Sequence, residues 1–145
     1  MMKRWMALDI GAKRIGVAVS DPSGTIAQGV EVVTKTGKEE EDLRRLTELF
    51  RAYQCTGLVI GLPLHMNGRA GQEAEKIKEF GVLLGQECGV TPVFWDERLT
   101  TVQAERSLLE MDLSRRRRRQ VIDRVAAAIL LESFLRSHNP PGNEI

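Results

Sequence analysis

The chain has 145 residues, of which 42% are hydrophobic and 28% are charged, a composition typical of one soluble globular domain with a full hydrophobic core. Its 21 Lys and Arg residues nearly balance its 20 Asp and Glu residues, so the overall charge favours no class of partner. Any affinity for nucleic acid or for a membrane surface must therefore come from local clusters of charge.

Two features of the sequence bear on where the protein works. Cys55 and Cys88 are the only cysteines, far apart and without a CxxC pairing, which indicates two structural thiols in a reducing compartment and not a disulfide or zinc framework. The apolar run before Asp9 is too short for a signal peptide, and no stretch approaches the roughly 20 apolar residues that a membrane span needs. We expect a cytoplasmic protein with no membrane contact.

The N-terminal part of the chain is predicted to form an antiparallel meander of three strands. Apolar runs predict strands over 5–10 and 15–20, joined by a turn at GAKR. After a second turn at DPSG, the looser alternation over 25–34 predicts a third strand.

Helices and strands alternate in the rest of the chain. Apolar residues at helical spacing predict the helices, and the apolar runs GLVIGLP and VTPVFWDE predict strands. The predicted elements are a helix over 37–53, a strand over 57–63, a helix over 71–89, a strand over 90–97, a helix over 100–111, a charged connection over 112–119 and a helix over 120–136. This order predicts an α/β fold with a central mixed five-stranded sheet, three antiparallel strands then two parallel, flanked by helices. We expect one domain over 1–138 and a polar tail over 139–145.

Acidic residues stand at the edges of three of these apolar elements. Asp9 interrupts the first strand, where an ionised side chain is costly unless it is paired, hydrogen-bonded or bound to metal. Asp96 and Glu97 follow VFW at the carboxyl end of a strand, where sites gather in open α/β sheets. Asp123 shares a face of the last helix with its apolar residues.

If these side chains converge, they repel one another, and a cation is the natural remedy. There is no His or Cys set for zinc, so hard divalent ions with oxygen ligands, Mg²⁺ or Mn²⁺, are favoured. A pair of such ions roughly 4 Å apart can activate water and stabilise the leaving oxygen in phosphodiester cleavage. Spacing alone leaves local roles open: a turn cap for Asp9, a favourable helix-dipole position for Asp123, and a polar strand end for Asp96 and Glu97.

Four segments of the chain resemble the YqgF/RuvX family. They are LDIGAKRIGVA, VIGLP, DERLTT and IDRVAAA, which follow the family order between about residues 5 and 136. The combination is highly specific, whereas the pattern DxGxxxxG alone is weak. The resemblance implies a ribonuclease H-like fold and a metal-dependent nuclease, a hydrolase acting on phosphodiester bonds, in a family of pre-16S rRNA nucleases related to Holliday junction resolvases.

The same resemblance implies the roles of the acidic residues. Asp9 would be the first-strand metal ligand, Glu97 the middle ligand and Asp123 the ligand from the C-terminal helix, with Mg²⁺ or Mn²⁺ as the cofactor. Asp96 competes with Glu97 for the middle role, because adjacent strand residues face opposite sides and the sequence does not fix the register.

Several side chains could contact nucleic acid. Lys13, Arg14 and Arg98 lie beside the proposed site and could hold phosphates, although isolated exposed cations are more often solvated surface. Thr100 could contact substrate, but helix capping explains it equally well. The clearest basic cluster, which could track a phosphate backbone or be a charged loop, is the run Arg115, Arg116, Arg117, Arg118 and Arg119.

Three functions are open at this stage. The first is an endonuclease of structured RNA that processes the 5′ end of pre-16S rRNA. The second is a resolvase of branched DNA, which generally needs two active sites across a two-fold axis, so a homodimer would favour it over a monomer. The third is a non-catalytic nucleic-acid-binding module, and the intact Asp9, Glu97 and Asp123 count against it.

Overall fold

A mixed sheet forms the centre of the protein. A computed structural model describes residues 3–64, 67–99 and 115–138. The strands in these ranges are β1 (Trp5–Ile10), β2 (Arg14–Ser20), β3 (Ala27–Thr34), β4 (Gly57–Leu62) and β5 (Val93–Asp96). Their order in the sheet is β3-β2-β1-β4-β5, with antiparallel pairing from β1 through β3 and parallel pairing from β1 through β5. The predicted five-stranded mixed sheet is therefore confirmed.

The helices that flank this sheet within the described ranges are α1 (Glu39–Ala52), α2 (Gln72–Cys88) and α3 (Arg115–His138). Helices α1 and α2 begin and end within two residues of their predicted bounds. Gly89 caps α2 in the left-handed conformation, with a φ of 76° that glycine adopts without strain. A short 3₁₀ turn, Glu97–Leu99, follows β5 directly.

The start of α3 corrects one prediction. Residues 112–119 are predicted as a charged connection, but residues 115–119 are already helical. Arginine is a good helix former and neither Gly nor Pro interrupts the run, so the like charges do not prevent the helix. The predicted helix over 100–111 and the tail over 139–145 lie outside the described residues. In the part of the chain that the structure describes, no helix has the length and apolar character needed to cross a membrane.

The two faces of the sheet carry different cores. Met6 and Leu8 of β1 face the side covered by α1 and α2, where they join a large apolar cluster. Ala7 of β1 faces the opposite side, where it packs with Ala18 of β2 and Leu130 of α3. Because side chains alternate along a strand, Asp9, two positions after Ala7, also faces α3.

Both cysteines are free thiols, in agreement with the expectation of structural side chains. Burial raises the pKa of Cys55 to about 11, and burial also raises the pKa of Cys88. A thiol with a raised pKa carries little thiolate at neutral pH, so neither residue is poised as a nucleophile.

One carboxylate closes the loop between β2 and β3. Asp21 accepts hydrogen bonds from the backbone N–H groups of Ile26 (2.8 Å) and Thr25 (2.7 Å) and from the hydroxyl of Ser23. These bonds, the one from Ile26 first, lower the pKa of Asp21 from 3.8 to about 2. The ionised side chain thus takes the place of backbone partners in this turn.

The Asp21→Asn variant is expected to melt a few degrees below the wild type at neutral pH. The pKa of Asp21 in the folded state lies below its ordinary value of 3.8, so its ionised form stabilises the fold above about pH 4 and this contribution is lost as the pH falls towards 2. The two melting temperatures should therefore converge over that interval in a series of thermal melts. A gap that stays constant with pH would contradict this assignment.

Candidate active site

Asp9 lies in the middle of the sheet, on the face that α3 covers. Its residue exposure is 8%, and it follows Ala7 by two positions on the same side of β1. Its partner in the antiparallel ladder with β2 is Gly16. The last pair in the parallel register of β1 with β4 is Leu8 with Ile60. Continued by one residue, this register places Asp9 beside Gly61. Asp9 is therefore flanked by two positions that have no side chain.

The first of these positions lets α3 approach the sheet. A β-carbon at Gly16 would overlap the carbonyl oxygen of Asp123 and would lie 2.8 Å from its carbonyl carbon. A similar close approach occurs one strand further out, where a β-carbon at Gly29 would lie 2.6 Å from the carbonyl oxygen of Arg124. Opposed residues of an antiparallel pair point to the same face, so Asp9 and Asp123 lie on the same side of the sheet.

The second position receives Glu97. A β-carbon at Gly61 would lie 2.6 Å from Oε1 of Glu97 and 3.1 Å from Cδ2 of Leu130 in α3. The Glu97 carboxylate therefore lies over β4, on the α3 face. The structure thus brings Asp9, Glu97 and Asp123 to one face at the carboxyl ends of the parallel strands, where α/β sheets build their sites.

Asp96, the competitor for the middle role, faces the other way. Its partner in the β4–β5 ladder is Leu62, which belongs to the core under α1 and α2. Its carboxylate accepts hydrogen bonds from the Arg98 guanidinium at 2.6–3.0 Å, and these bonds lower the pKa of Asp96. Geometry therefore favours Glu97 over Asp96 as a partner of Asp9. The Arg98 guanidinium is bound to the Asp96 carboxylate.

Arg14 is committed to Asp123. Its Nε donates to Oδ2 of Asp123 at 2.7 Å, and the two side chains are 29% and 13% exposed. Arg14 stands two residues before Gly16 in β2, so alternation puts it on the α3 face as well. Arg14, which the sequence offers either as a phosphate contact or as a solvated cation, forms an ion pair in the structure that ties β2 to α3.

The three carboxylates match a hard divalent cation in donor chemistry, because all their ligand atoms are oxygens. Because Gly16 and Gly61 have no side chains, there is room beside Asp9 for the Asp123 backbone and for the Glu97 carboxylate. Within residues 3–64, 67–99 and 115–138, however, no three His, Cys, Asp or Glu side chains are close enough to hold one metal ion. The donors are therefore of the right kind on one face, and side chains must rearrange for them to enclose a cation.

The remaining predicted contacts lie around this face or outside the described residues. Lys13 is exposed in the turn before β2. Thr100 lies outside the described ranges. The backbone of Arg115 to Arg119 forms the first turns of α3, eight to four residues before Asp123.

Sequence reasoning missed the two features that build the site, the glycines beside Asp9 and the Arg14–Asp123 ion pair. Gly16 lies inside RIGVAVS and Gly61 inside GLVIGL, where a glycine weakens a strand and signals a close approach of another group. That signal was available. The ion pair joins residues 109 positions apart, and no local pattern announces it.

Comparison with known proteins identifies the family. A family model named RuvX and described as Holliday junction resolvase matches residues 3–137. The chain belongs to the RuvX family. It is 48% identical over 141 residues to a protein of Pelotomaculum thermopropionicum, covering 97% of this chain and 92% of that protein. It is 52% identical over 132 residues to a protein of Moorella thermoacetica, covering 91% of this chain and 94% of that protein. Both relatives carry the name "Putative pre-16S rRNA nuclease".

Solved structures of RuvC from Thermus thermophilus share the fold. The complex with a Holliday junction substrate matches with a TM-score of 0.59 at 12% identity, covering 95% of this chain and 96% of that one. A second structure of Thermus thermophilus RuvC matches with a TM-score of 0.57 at 15% identity, covering 94% of this chain and 96% of that one. The resemblance of the four sequence segments and the ribonuclease H-like fold are thereby confirmed, and the chain is a member of a nuclease family.

Proposed function

We propose that this protein is a divalent-metal-dependent endonuclease that cleaves phosphodiester bonds in structured RNA, at the 5′ end of pre-16S rRNA. The observation that carries the proposal is the placement of Asp9, Glu97 and Asp123 on one face at the carboxyl edge of the sheet. The names of the relatives favour RNA as the substrate. An rRNA substrate implies that the protein acts in the cytoplasm, where its free thiols stay reduced.

Asp9, Glu97 and Asp123 would hold Mg²⁺ or Mn²⁺ through their carboxylate oxygens. When bound, such an ion lowers the pKa of its water and stabilises the leaving oxygen of the phosphodiester. The chain itself supplies position. Asp9 is fixed within a central strand, the backbone of Asp123 is fixed by its contact with Gly16, and Glu97 projects from the turn after β5. The backbone at these positions is thus in place beforehand, and only the carboxylate side chains have to turn towards the ion.

Lys13 and part of the arginine run are among the cations that would meet the nucleic-acid backbone. Lys13 is exposed in the turn that follows the strand of Asp9. The backbone of Arg115 to Arg119 is helical, and an α-helix rotates successive residues by about 100°. We infer that only some of these arginines face a given strand of RNA, where each would displace condensed counterions.

A resolvase acting on branched DNA is the second candidate. The description of the family model and the shared fold with RuvC favour it. A resolvase generally places two sites across a two-fold axis, so it works as a homodimer, whereas an RNA nuclease can act as a monomer. Molecular mass in solution, measured with and without a four-way junction, therefore discriminates between the two substrates. A non-catalytic binding module is the third candidate, and it predicts no cleavage of either substrate.

Two neighbouring carboxylates give a matched pair of variants for the proposed chemistry. Glu97→Gln should lower the rate of cleavage by more than about a hundredfold, because even the groups that orient metal ligands are worth about 10- to 100-fold. Asp96→Asn should keep most of the rate, because Asp96 faces the opposite core and pairs with Arg98.

The measurement is cleavage of a pre-16S rRNA fragment and of a four-way DNA junction, each with Mn²⁺ and with a chelator. Cleavage of the junction alone would replace the first candidate by the second. Equal rates for Glu97→Gln and the wild type, or full activity in the chelator, would contradict the metal-dependent mechanism.

A further inference from the structure

The Arg14–Asp123 ion pair has no place in the mechanism above. The pair is half-buried, so it is screened less than a pair on the surface, and its 2.7 Å bond is charge-assisted. The guanidinium therefore occupies the position of a cation at a carboxylate that the proposed function assigns to a metal ion. One anion has two candidates for its counter-charge.

Both cations cannot use Asp123 equally well. A divalent ion bound to this carboxylate would share it with the guanidinium, and two positive charges on one half-buried carboxylate would repel each other. Removing the guanidinium should therefore strengthen the binding of a divalent ion. A purely structural ion pair makes no such prediction, because its loss would loosen α3 and weaken the site.

When substrate is present, its phosphates offer Arg14 a second anion to bind. It is the first residue of β2, next to the exposed turn that carries Lys13, and more than a quarter of its side chain is open to solvent. Its planar fork of donors suits a phosphate as well as a carboxylate. A phosphate of the substrate can therefore attract Arg14 away from Asp123.

We propose that Arg14 and a divalent cation compete for the Asp123 carboxylate, and that a substrate phosphate relieves this competition by taking over Arg14. This inference rests on the proposed function and adds a regulation to it. The protein without substrate holds its metal weakly, and nucleic acid and metal strengthen each other's binding, as two linked ligands must. Arg14 is then a positioning residue that couples the loading of the site to the presence of substrate.

Calorimetric titration of Mn²⁺ into the protein without nucleic acid tests the competition directly. Arg14→Gln should bind Mn²⁺ on the order of tenfold more tightly than the wild type, because one repelling charge is gone. Arg14→Lys should stay close to the wild type, since it keeps the charge. Arg45→Gln is the matched control: Arg45 also pairs with a carboxylate, Glu31 at 3.5 Å, but in an exposed pair of α1 and β3.

A second measurement needs no variant. The Nε–H resonance of Arg14, assigned by its loss in Arg14→Lys, should shift when the wild type is titrated with Mg²⁺, because the hydrogen bond to Asp123 breaks. An unchanged resonance at saturating Mg²⁺, or an Arg14→Gln affinity equal to or weaker than that of the wild type, would overturn the proposal.

An Asp9→Asn arm separates this inference from the proposed function. If Mn²⁺ binds the wild type, binds Asp9→Asn more weakly and binds Arg14→Gln no better than the wild type, only the role of Arg14 fails. If none of these proteins binds Mn²⁺, metal dependence itself fails, and the inference fails with it.

Discussion

Asp9→Asn is expected to lower the rate of cleavage by roughly three orders of magnitude, since a metal ion supplies several kcal/mol and each 1.4 kcal/mol is about tenfold in rate. The substitution keeps the shape of the side chain and removes one ligand charge from the centre of the site. Asp9 is 8% exposed and lies between two glycine positions, where a side chain of the same shape fits. The rate should therefore fall without a change in the fold. The measurement is single-turnover cleavage of the pre-16S rRNA fragment in Mn²⁺.

The same variant should be as stable as the wild type, or more stable, when metal is removed. Burial of the Asp9 carboxylate carries a desolvation cost, the carboxylates on the same face of the sheet add repulsion, and a neutral amide avoids both costs. Active sites commonly trade stability for function in this way. Thermal melts in a chelator test this expectation. A loss of many degrees would show instead that Asp9 has a structural role that depends on its charge.

Asp42→Asn provides the control for a carboxylate with a structural role. Asp42 is also buried, but it accepts hydrogen bonds from the backbone N–H and the hydroxyl of Thr36, both at 3.0 Å, at the start of α1. Its loss should lower the melting temperature and leave the rate of cleavage of the folded protein unchanged. The two variants should therefore show opposite patterns of stability and activity.

The sheet and its helices follow from the sequence because their apolar patterns are strong. Within residues 3–64, 67–99 and 115–138, alternating and continuous apolar runs locate the strands, and one helix start differs by several residues, since the helix predicted from 120 begins at Arg115. A run of like charge predicts a loop because its members repel one another, but arginine has a high helix propensity. Local propensity outweighed charge repulsion there.

The choice between Asp96 and Glu97 could not be made from the sequence for a physical reason. The strand that ends at Asp96, VFWD, packs on both faces, so its apolar residues do not show which face Asp96 shares. The ladder with β4 settles the faces, because Trp95 pairs with Gly61 under α3 and Asp96 pairs with Leu62 on the other side. A one-residue shift of register would have exchanged the two carboxylates.

The Gly16→Ala variant should lose both stability and activity. The added β-carbon would overlap the carbonyl oxygen of Asp123, and it would lie 2.8 Å from the carbonyl carbon and 3.4 Å from Cα. All of these are backbone atoms of a helix whose apolar residues, Leu130 among them, are packed on the sheet, so the conflict cannot be relieved by turning a side chain. Overpacking of this kind typically costs about 1–3 kcal/mol, and helix α3 must move away from Asp9 to absorb it.

Gly61→Ala is the matched variant at the other side of Asp9. There the added β-carbon would meet Oε1 of Glu97 at 2.6 Å and a terminal carbon of Leu130 at 3.1 Å, both of which belong to side chains that can turn. We expect a smaller fall in melting temperature than for Gly16→Ala, together with a clear loss of cleavage, because the Glu97 carboxylate is pushed from its place. Thermal melts in a chelator and cleavage rates in Mn²⁺ measure the two effects separately. Full activity in Gly61→Ala would show that the position of Glu97 over β4 does not matter for the reaction. A Gly16→Ala protein as stable as the wild type would contradict the close contact between α3 and β2 on which the whole site depends.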